Sequence, residues 1–96
     1  MSHRQSILDD AADAVEGDRN FDYGDPADDF ARTAGMWQAY LGVPIVAHDV
    51  AALMAMLKLS RIRHSPGKRD SWVDLAGYAA CGWDCARPET ITRSGA

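Results

Sequence analysis

The stretch HDVAALMAMLKLSRI, residues 48–62, decides the fold. Leucine, methionine and alanine fill most of its positions, and all three residue types favour helix. The apolar residues leave almost no polar face, whereas a helix at the surface of a protein has one. We therefore expect a helix that begins at His48 or Asp49, ends near Ile62 and is buried all round, by the domain itself or by a partner.

Apolar residues at helical spacing predict three further helices, over residues 6–16, 26–40 and 70–84. Asp25 suits the N-cap of the second of these, with Pro26 at the first helical position, and Gly42 ends that helix. The predicted fold class is all-α: a compact four-helix domain with residues 48–62 as its central hydrophobic helix.

The last helix combines large and small side chains. Its large apolar residues and one alanine fall on a single stripe: Trp72, Leu75, Ala79 and Trp83. Its other small residues would let a neighbouring helix approach closely: Ala76, Gly77, Ala80 and Gly82. Cys81 and Cys85 are four residues apart on this helix, where a disulfide would strain the backbone. We therefore expect free, buried thiols.

The length of 96 residues suffices for one domain. We expect residues 1–85 to form a single all-helical domain. Residues 86–96 are poor in large apolar side chains, so we expect them to form a loose C-terminal tail. The core of so short a chain is small, and we expect part of the apolar surface to be buried between the subunits of a homo-oligomer.

Charge and hydropathy exclude several classes of protein. Acidic residues outnumber basic ones by 14 to 10, and the net charge of −4 argues against general nucleic-acid binding. No apolar run approaches the roughly 18 residues that indicate a membrane-spanning helix. The N-terminal stretch is too acidic for a signal peptide. We expect a cytoplasmic protein with no membrane partner.

Charged residues of the last two helices form the most informative cluster. Lys58 and Arg61 lie near the end of one helix, and Asp70, Asp74 and Tyr78 follow at steps of four on the next. A connection of about seven residues makes these helices antiparallel neighbours, so the cations and carboxylates should meet near the loop. Two interpretations stay open: an ion-pair network that neutralises charge on a mostly buried helix, or a ligand pocket.

The ligand-pocket interpretation gives each residue a role. Basic side chains hold phosphates, and arginine does so with a bidentate fork. The candidate phosphate ligands are Lys58, Arg61 and Lys68. Mg²⁺ prefers carboxylate oxygens and water, and Asp70 and Asp74 are its candidate ligands. Tyr78 or Trp37 would stack on a base.

Arg19 and Tyr23 are two further candidate ligand-binding residues, in the loop that precedes Gly24. Arg19 has the length to reach a phosphate or to stack over an aromatic ring. The alternative is structural: Tyr23 fastens the loop to the core, and Gly24 supplies a positive φ.

Together these residues resemble a phage and prophage family known as a domain of unknown function. The likeness covers residues 6–84. Its motifs are Arg19 with DYGDP at 22–26, Phe30 with Trp37 and YLG at 40–42, HDVA at 48–51, LKLSR at 57–61 and DSWVDLAGYA at 70–79. The resemblance implies a cytoplasmic phage protein of a bacterial host cell, and it implies no particular activity.

Weaker likenesses point towards nucleotides. The order Lys-x-x-Arg, Asp and then Tyr is similar to the nucleotide-modification-associated domain and to small phage nucleotide kinases. The helix that carries Asp70 and Asp74 resembles the second half of a MazG-type all-α nucleotide pyrophosphohydrolase, which binds Mg²⁺ through two acidic pairs. Lys58 and Arg61 stand where the first acidic pair is expected, so the likeness does not extend to the full MazG magnesium site.

Two functions from different classes follow. The first is a small phage protein that binds a nucleotide or nucleoside phosphate at the Lys/Arg and Asp/Tyr cleft, with Mg²⁺ as its expected cofactor and with turnover left open. The second is a non-enzymatic anti-defence or interaction protein, which sequesters a signalling nucleotide or binds a host defence protein.

Overall fold

Four α-helices make up most of the described chain. The computed structural model describes residues 2–17 and 24–88. The helices are α1 (His3–Glu16), α2 (Pro26–Leu41), α3 (Ala47–His64) and α4 (Arg69–Ala86). No strand occurs within the described ranges, and the all-α four-helix prediction is confirmed. No described helix is long and apolar enough to cross a lipid bilayer.

Local capping sets where these helices begin and end. α1 begins earlier than the sequence indicated, because the Ser2 hydroxyl accepts a hydrogen bond from the Gln5 N–H at 3.0 Å. At the start of α2 the Asp25 carboxylate accepts from the Ala27 N–H at 3.2 Å, with Pro26 at the first helical position. Gly42 ends α2 in the left-handed region, at φ = 74°. The predicted capping of α2 is confirmed at both ends.

The hydrophobic core lies where α2, the first half of α3 and the second half of α4 meet. Its buried residues are Ala27, Phe30, Ala34, Ile45, Val50, Ala51, Cys81 and Cys85. Val15 of α1 packs against its edge. The backbone N–H of Ile45, in the connection between α2 and α3, donates to the Gln38 side chain at 3.0 Å. This bond fixes the connection against α2.

The predicted inner stripe of α4 is wrong. Trp72 and Trp83 are 43% and 67% exposed, whereas the smaller residues Gly77, Cys81 and Cys85 are buried. The reason is the close approach of α3 and α4: a Cβ built on Gly82 would lie 3.2 Å from the Ala51 Cβ. Indole rings do not fit so narrow a gap. The prediction of free, buried cysteines is confirmed.

Helix α3 is covered on one side only. Val50 and Ala51 are each 2% exposed, but Leu53 and Met56 are 41% and 54% exposed. The helix packs chiefly against α4 and α2, and these neighbours leave its other side open. Of the two predicted alternatives, burial by the domain alone is therefore wrong, and burial by a partner stays a prediction.

The hairpin of α3 and α4 continues past the core to the connection at residues 65–68. There the Arg69 guanidinium fastens α1, with Nη1 lying 2.7 Å from Asp10 Oδ2 and Nη2 donating to Ser6 Oγ at 2.7 Å. Trp72 Nε1 donates to the Pro66 carbonyl at 2.9 Å, across the turn. These contacts hold the end of the hairpin that carries the charged residues.

Candidate functional site

A groove of about 590 Å³ lies at the turn between α3 and α4. The last turns of α3, the connection at residues 65–68 and the first turns of α4 form its walls. The predicted site residues that line it are Lys58, Arg61, Lys68, Asp70 and Asp74. Their convergence follows from the short connection, which sets the end of α3 beside the start of α4.

Two of the charged residues in the groove form an ion pair with each other. Lys58 Nζ lies 2.8 Å from Asp74 Oδ2, and the Lys58 side chain is only 13% exposed. For this pair the ion-pair interpretation holds, since burial of a cation demands a compensating charge. Arg61, Lys68 and Asp70 are exposed and make no ion pair with any described residue. These three charges remain available to a ligand.

Ser71 is the buried polar residue of the groove. It is 8% exposed, and its hydroxyl has no hydrogen-bond partner within residues 2–17 and 24–88. A buried hydroxyl without a partner is costly, so such groups are usually paired. Ser71 lines the groove, and an oxygen-bearing ligand there would supply the missing partner.

The start of α4 adds positive potential to the groove. Lys68 stands at the N-cap, and no side chain of the described residues caps the helix there. The first N–H groups of a helix lack intrahelical partners and carry the positive end of its dipole. Asp70 in the first turn offsets part of this potential, and the two cations Arg61 and Lys68 are the groove residues that favour an anion.

His64 and Ser71 were missed by the sequence analysis, although both line the groove. His64 follows Arg61 by three residues, and that spacing places both residues on one edge of α3. The signal for His64 was therefore present in the sequence. Nothing in the sequence marked Ser71, because its role depends on burial in the folded protein.

The structure separates Tyr78 from the basic residues. Tyr78 lines a smaller cavity of about 110 Å³ between α1, α2 and α4, which it shares with Asp29 and Phe30. Its ring centroid lies 6.3 Å from that of Phe30. Asp74 lines both cavities. Tyr78 does not line the groove that contains Lys58, so its predicted stacking on a base bound in that groove has no support from this arrangement.

The remaining predicted site residues lie in the core, in the groove or outside the described residues. Trp37 packs against the core. Arg19 and Tyr23 lie outside the described residues, so their proposed roles stay predictions. No group of three or more metal-ligating side chains occurs in the described part of the chain, and Asp70 and Asp74 lie together in the groove as a pair of carboxylates.

Comparison with known proteins places the chain among phage proteins. It is 40% identical over 77 residues to the Gene 55 protein of Mycobacterium phage D29. The aligned residues cover 80% of this chain and 51% of the phage protein. It is 41% identical over 75 residues to the Gene 55 protein of Mycobacterium phage L5, covering 77% and 48%. The chain thus spans about half the length of these relatives.

No solved structure matches the chain. The family model described as Domain of unknown function (DUF6378) matches residues 6–86. This range contains all the motifs on which the resemblance to a phage family was based, as well as the whole of the groove. The chain belongs to this phage family of unknown function.

Proposed function

We propose that this protein binds a nucleoside phosphate, with the phosphates in the groove between α3 and α4. The observation that carries the proposal is Ser71, a buried hydroxyl without a described partner at the groove. Arg61 and Lys68 lie around it as cations that no described residue pairs. Phosphate oxygens accept hydrogen bonds from hydroxyl groups and guanidinium groups alike, so one ligand group satisfies both kinds of residue.

Asp70 and Asp74 fit a magnesium ion that arrives with the ligand. Mg²⁺ usually binds through one or two carboxylates together with substrate phosphates, and it keeps several waters. Asp74 Oδ2 is engaged by Lys58, which leaves the other oxygen of Asp74 and both oxygens of Asp70. A MazG-type site with two acidic pairs is not part of this proposal, because Lys58 neutralises one of the two available carboxylates.

The direct test is calorimetric titration with a panel of nucleosides, nucleoside mono-, di- and triphosphates and inorganic pyrophosphate, with Mg²⁺ or with a chelator. We expect the affinity to rise with the number of phosphates and to fall with salt, because the groove recognises charge. The unphosphorylated nucleosides should not bind. If no phosphate compound binds at millimolar concentration, the proposal is wrong.

Two variants locate the binding site. Arg61→Gln removes a charge-assisted hydrogen bond, which contributes about 1.5–3 kcal/mol, so the affinity should fall about 10- to 100-fold. Arg4→Gln is the matched control, because it makes the same charge change on α1, away from the groove residues. Equal losses in the two variants would show that binding depends on net charge and not on the groove.

Ser71→Ala separates binding from folding. Removal of an unpaired buried hydroxyl should stabilise the free protein by about 1 kcal/mol, whereas loss of a hydrogen bond to the ligand should weaken binding about fivefold. A structural serine would give no loss of affinity. These opposite signs in urea unfolding and in calorimetry are specific to a ligand-binding hydroxyl.

Recovery of the bound ligand distinguishes the proposed roles. A nucleotide that is recovered unaltered after long incubation with Mg²⁺ indicates sequestration, and a changed product indicates an enzyme. Capture of a host defence protein by the nucleotide-free chain, with no binding across the panel, would support the interaction protein instead.

A further inference from the structure

The open side of α3 carries an ordered pattern of side chains, which we call the α3 outer stripe: Asp49, Leu53, Met56 and Arg63. The separations of four, three and seven residues keep these side chains along one face of the helix. The face is rotated by roughly a quarter of a turn from Val50, which is 2% exposed and faces the core. An apolar centre is thus flanked by an acid at one end and a base at the other.

The centre of this stripe is unusually open for apolar residues. Leu53 and Met56 are 41% and 54% exposed, and Leu57 beside them is 39% exposed. Adjacent exposed apolar side chains of this kind mark interaction sites more often than isolated ones do. The end charges are also accessible: the Asp49 side chain is 45% exposed, and Arg63 is exposed with no ion pair to any described residue.

The charges at the two ends of the α3 outer stripe indicate what would pack against it. Met56 lies midway between Asp49 and Arg63, so a two-fold axis near Met56 brings the Asp49 end of one helix beside the Arg63 end of the other. A two-fold contact uses the same patch on both subunits, and here each patch is its own electrostatic complement. A parallel arrangement would instead oppose Asp49 to Asp49 and Arg63 to Arg63, which is repulsive.

We propose that two copies of this chain associate through the α3 outer stripe, with the two α3 helices antiparallel. Leu53, Met56 and Leu57 form the apolar centre, and each Asp49 pairs with Arg63 of the partner subunit. Asp49 Oδ2 accepts the Val46 N–H at 3.0 Å. Asp49 Oδ1 lies 3.9 Å from His48 Nε2, which is beyond hydrogen-bond distance, and this oxygen would take the contact with Arg63. The interface does not depend on ligand binding at the groove.

Charge reversal tests the pairing directly, with mass measured by sedimentation or light scattering. The wild-type protein should have twice the mass of the chain. Asp49→Lys and Arg63→Glu should each weaken the dimer at least about tenfold, because each places two like-charged pairs across the axis. An equimolar mixture of the two variants should recover the dimer. In the mixed dimer the introduced lysine of one subunit meets the introduced glutamate of the other, and the native pair of Asp49 and Arg63 remains at the opposite end.

A second pair of variants covers the case in which Asp49→Lys fails to fold, because Asp49 also caps α3. Met56→Lys places charge at the apolar centre and should abolish the dimer. Leu8→Lys is the matched control, since Leu8 on α1 is 56% exposed, close to the 54% of Met56. Circular dichroism checks that each variant remains helical.

Three results would overturn the proposal: a wild-type chain that is monomeric at its highest soluble concentration, a Met56→Lys variant that dimerises as well as Leu8→Lys, or folded charge-reversal variants whose mixture stays monomeric. The first of these is what we would expect if the α3 outer stripe docks against another protein or against a further segment of a longer chain.

Discussion

Cys85 is a thiol whose surroundings suppress ionisation. It is 3% exposed in the core. Its pKa is raised from 9.0 to about 11, first by burial and then by the negative charges of Asp84, Cys81 and Asp25. Because the thiolate is the reactive form of cysteine, Cys85 should be inert towards alkylation while the protein is folded.

The raised pKa of Cys85 predicts a loss of stability in alkaline solution. Between about pH 9 and pH 11 the unfolded chain releases the thiol proton and the folded chain keeps it, so the free energy of unfolding falls as the pH rises. The contribution is fully present below pH 9, and a shift of about two units corresponds to about 2–3 kcal/mol. Urea unfolding across this pH range measures it.

Cys85→Ala is the reference for that experiment, because it retains every other ionisable group of the protein. The variant should be less stable at pH 7, since it leaves a small cavity, but its stability should fall less steeply with pH. Parallel pH profiles for the two proteins would show that the Cys85 thiol ionises as readily in the fold as in the unfolded chain.

Gln38 is a second residue whose effect depends on one contact. Its side-chain oxygen accepts the N–H of Ile45, a residue that is 9% exposed. Gln38→Ala leaves this donor unpaired and should destabilise the protein by about 1–3 kcal/mol. Gln38→Glu retains an acceptor and should lose less. Chemical denaturation of the wild-type protein and the two variants tests this order of stability. Two equally stable variants would show that a carboxylate oxygen cannot replace the Gln38 amide oxygen as the acceptor for Ile45.

At the scale of the element, the same substitution should have different effects at two helical glycines. Gly35 on α2 is exposed, and a Cβ there would meet nothing within 4 Å. Gly35→Ala should therefore stabilise the protein by about 0.5–1 kcal/mol through helix propensity. At Gly82 the same Cβ meets that of Ala51 at 3.2 Å.

The contact at Gly82 has no rotamer through which it could relax, because a Cβ moves only with its backbone. In Gly82→Ala, the cost of displacing α3 should thus cancel the stabilisation that alanine gives through its helix propensity. Gly82→Leu should destabilise the protein by about 1–3 kcal/mol or more. Thermal unfolding of the three variants checks this. A Gly82→Ala protein as stable as Gly35→Ala would mean that α3 and α4 separate easily.

Local signals predicted the helices better than they predicted the packing of those helices. Asp25, Pro26 and Gly42 placed the ends of α2 correctly because caps depend on neighbouring residues alone. The inner face of α4 was mistaken because periodicity marks Trp72 and Trp83 as apolar but carries no information about the width of the gap facing them. That gap depends on the distance between backbones, which only the tertiary structure supplies.

The groove was predicted in part for the same reasons. A short connection was enough to bring Arg61, Lys68 and Asp70 together. Tyr78 lies eight residues beyond Asp70, which is roughly 12 Å along the helix axis, and it therefore reaches the other cavity. A helical wheel places Asp70 and Tyr78 on the same face of α4 but does not show how far apart they lie along the helix axis.

At the scale of the whole molecule, α1 is the least firmly attached helix. Within the described chain it packs chiefly against α4, and Ala11 is its one buried residue. Arg69 holds it through Asp10 and Ser6, but both charged side chains of the ion pair are about half exposed. Such a helix should open locally without unfolding of the α2–α3–α4 core.

Hydrogen exchange of the folded protein tests this order of stability. Amides of α1 should exchange faster than those in the first half of α3, and Arg69→Ala should accelerate α1 further, by about fivefold for a loss of about 1 kcal/mol, while the amides around Val50 keep their rates. Arg4→Ala, an exposed arginine on α1 itself, should change neither set. Equal acceleration throughout the molecule in the Arg69 variant would mean that α1 and the core unfold as one unit, and that the contacts of Arg69 contribute to global stability.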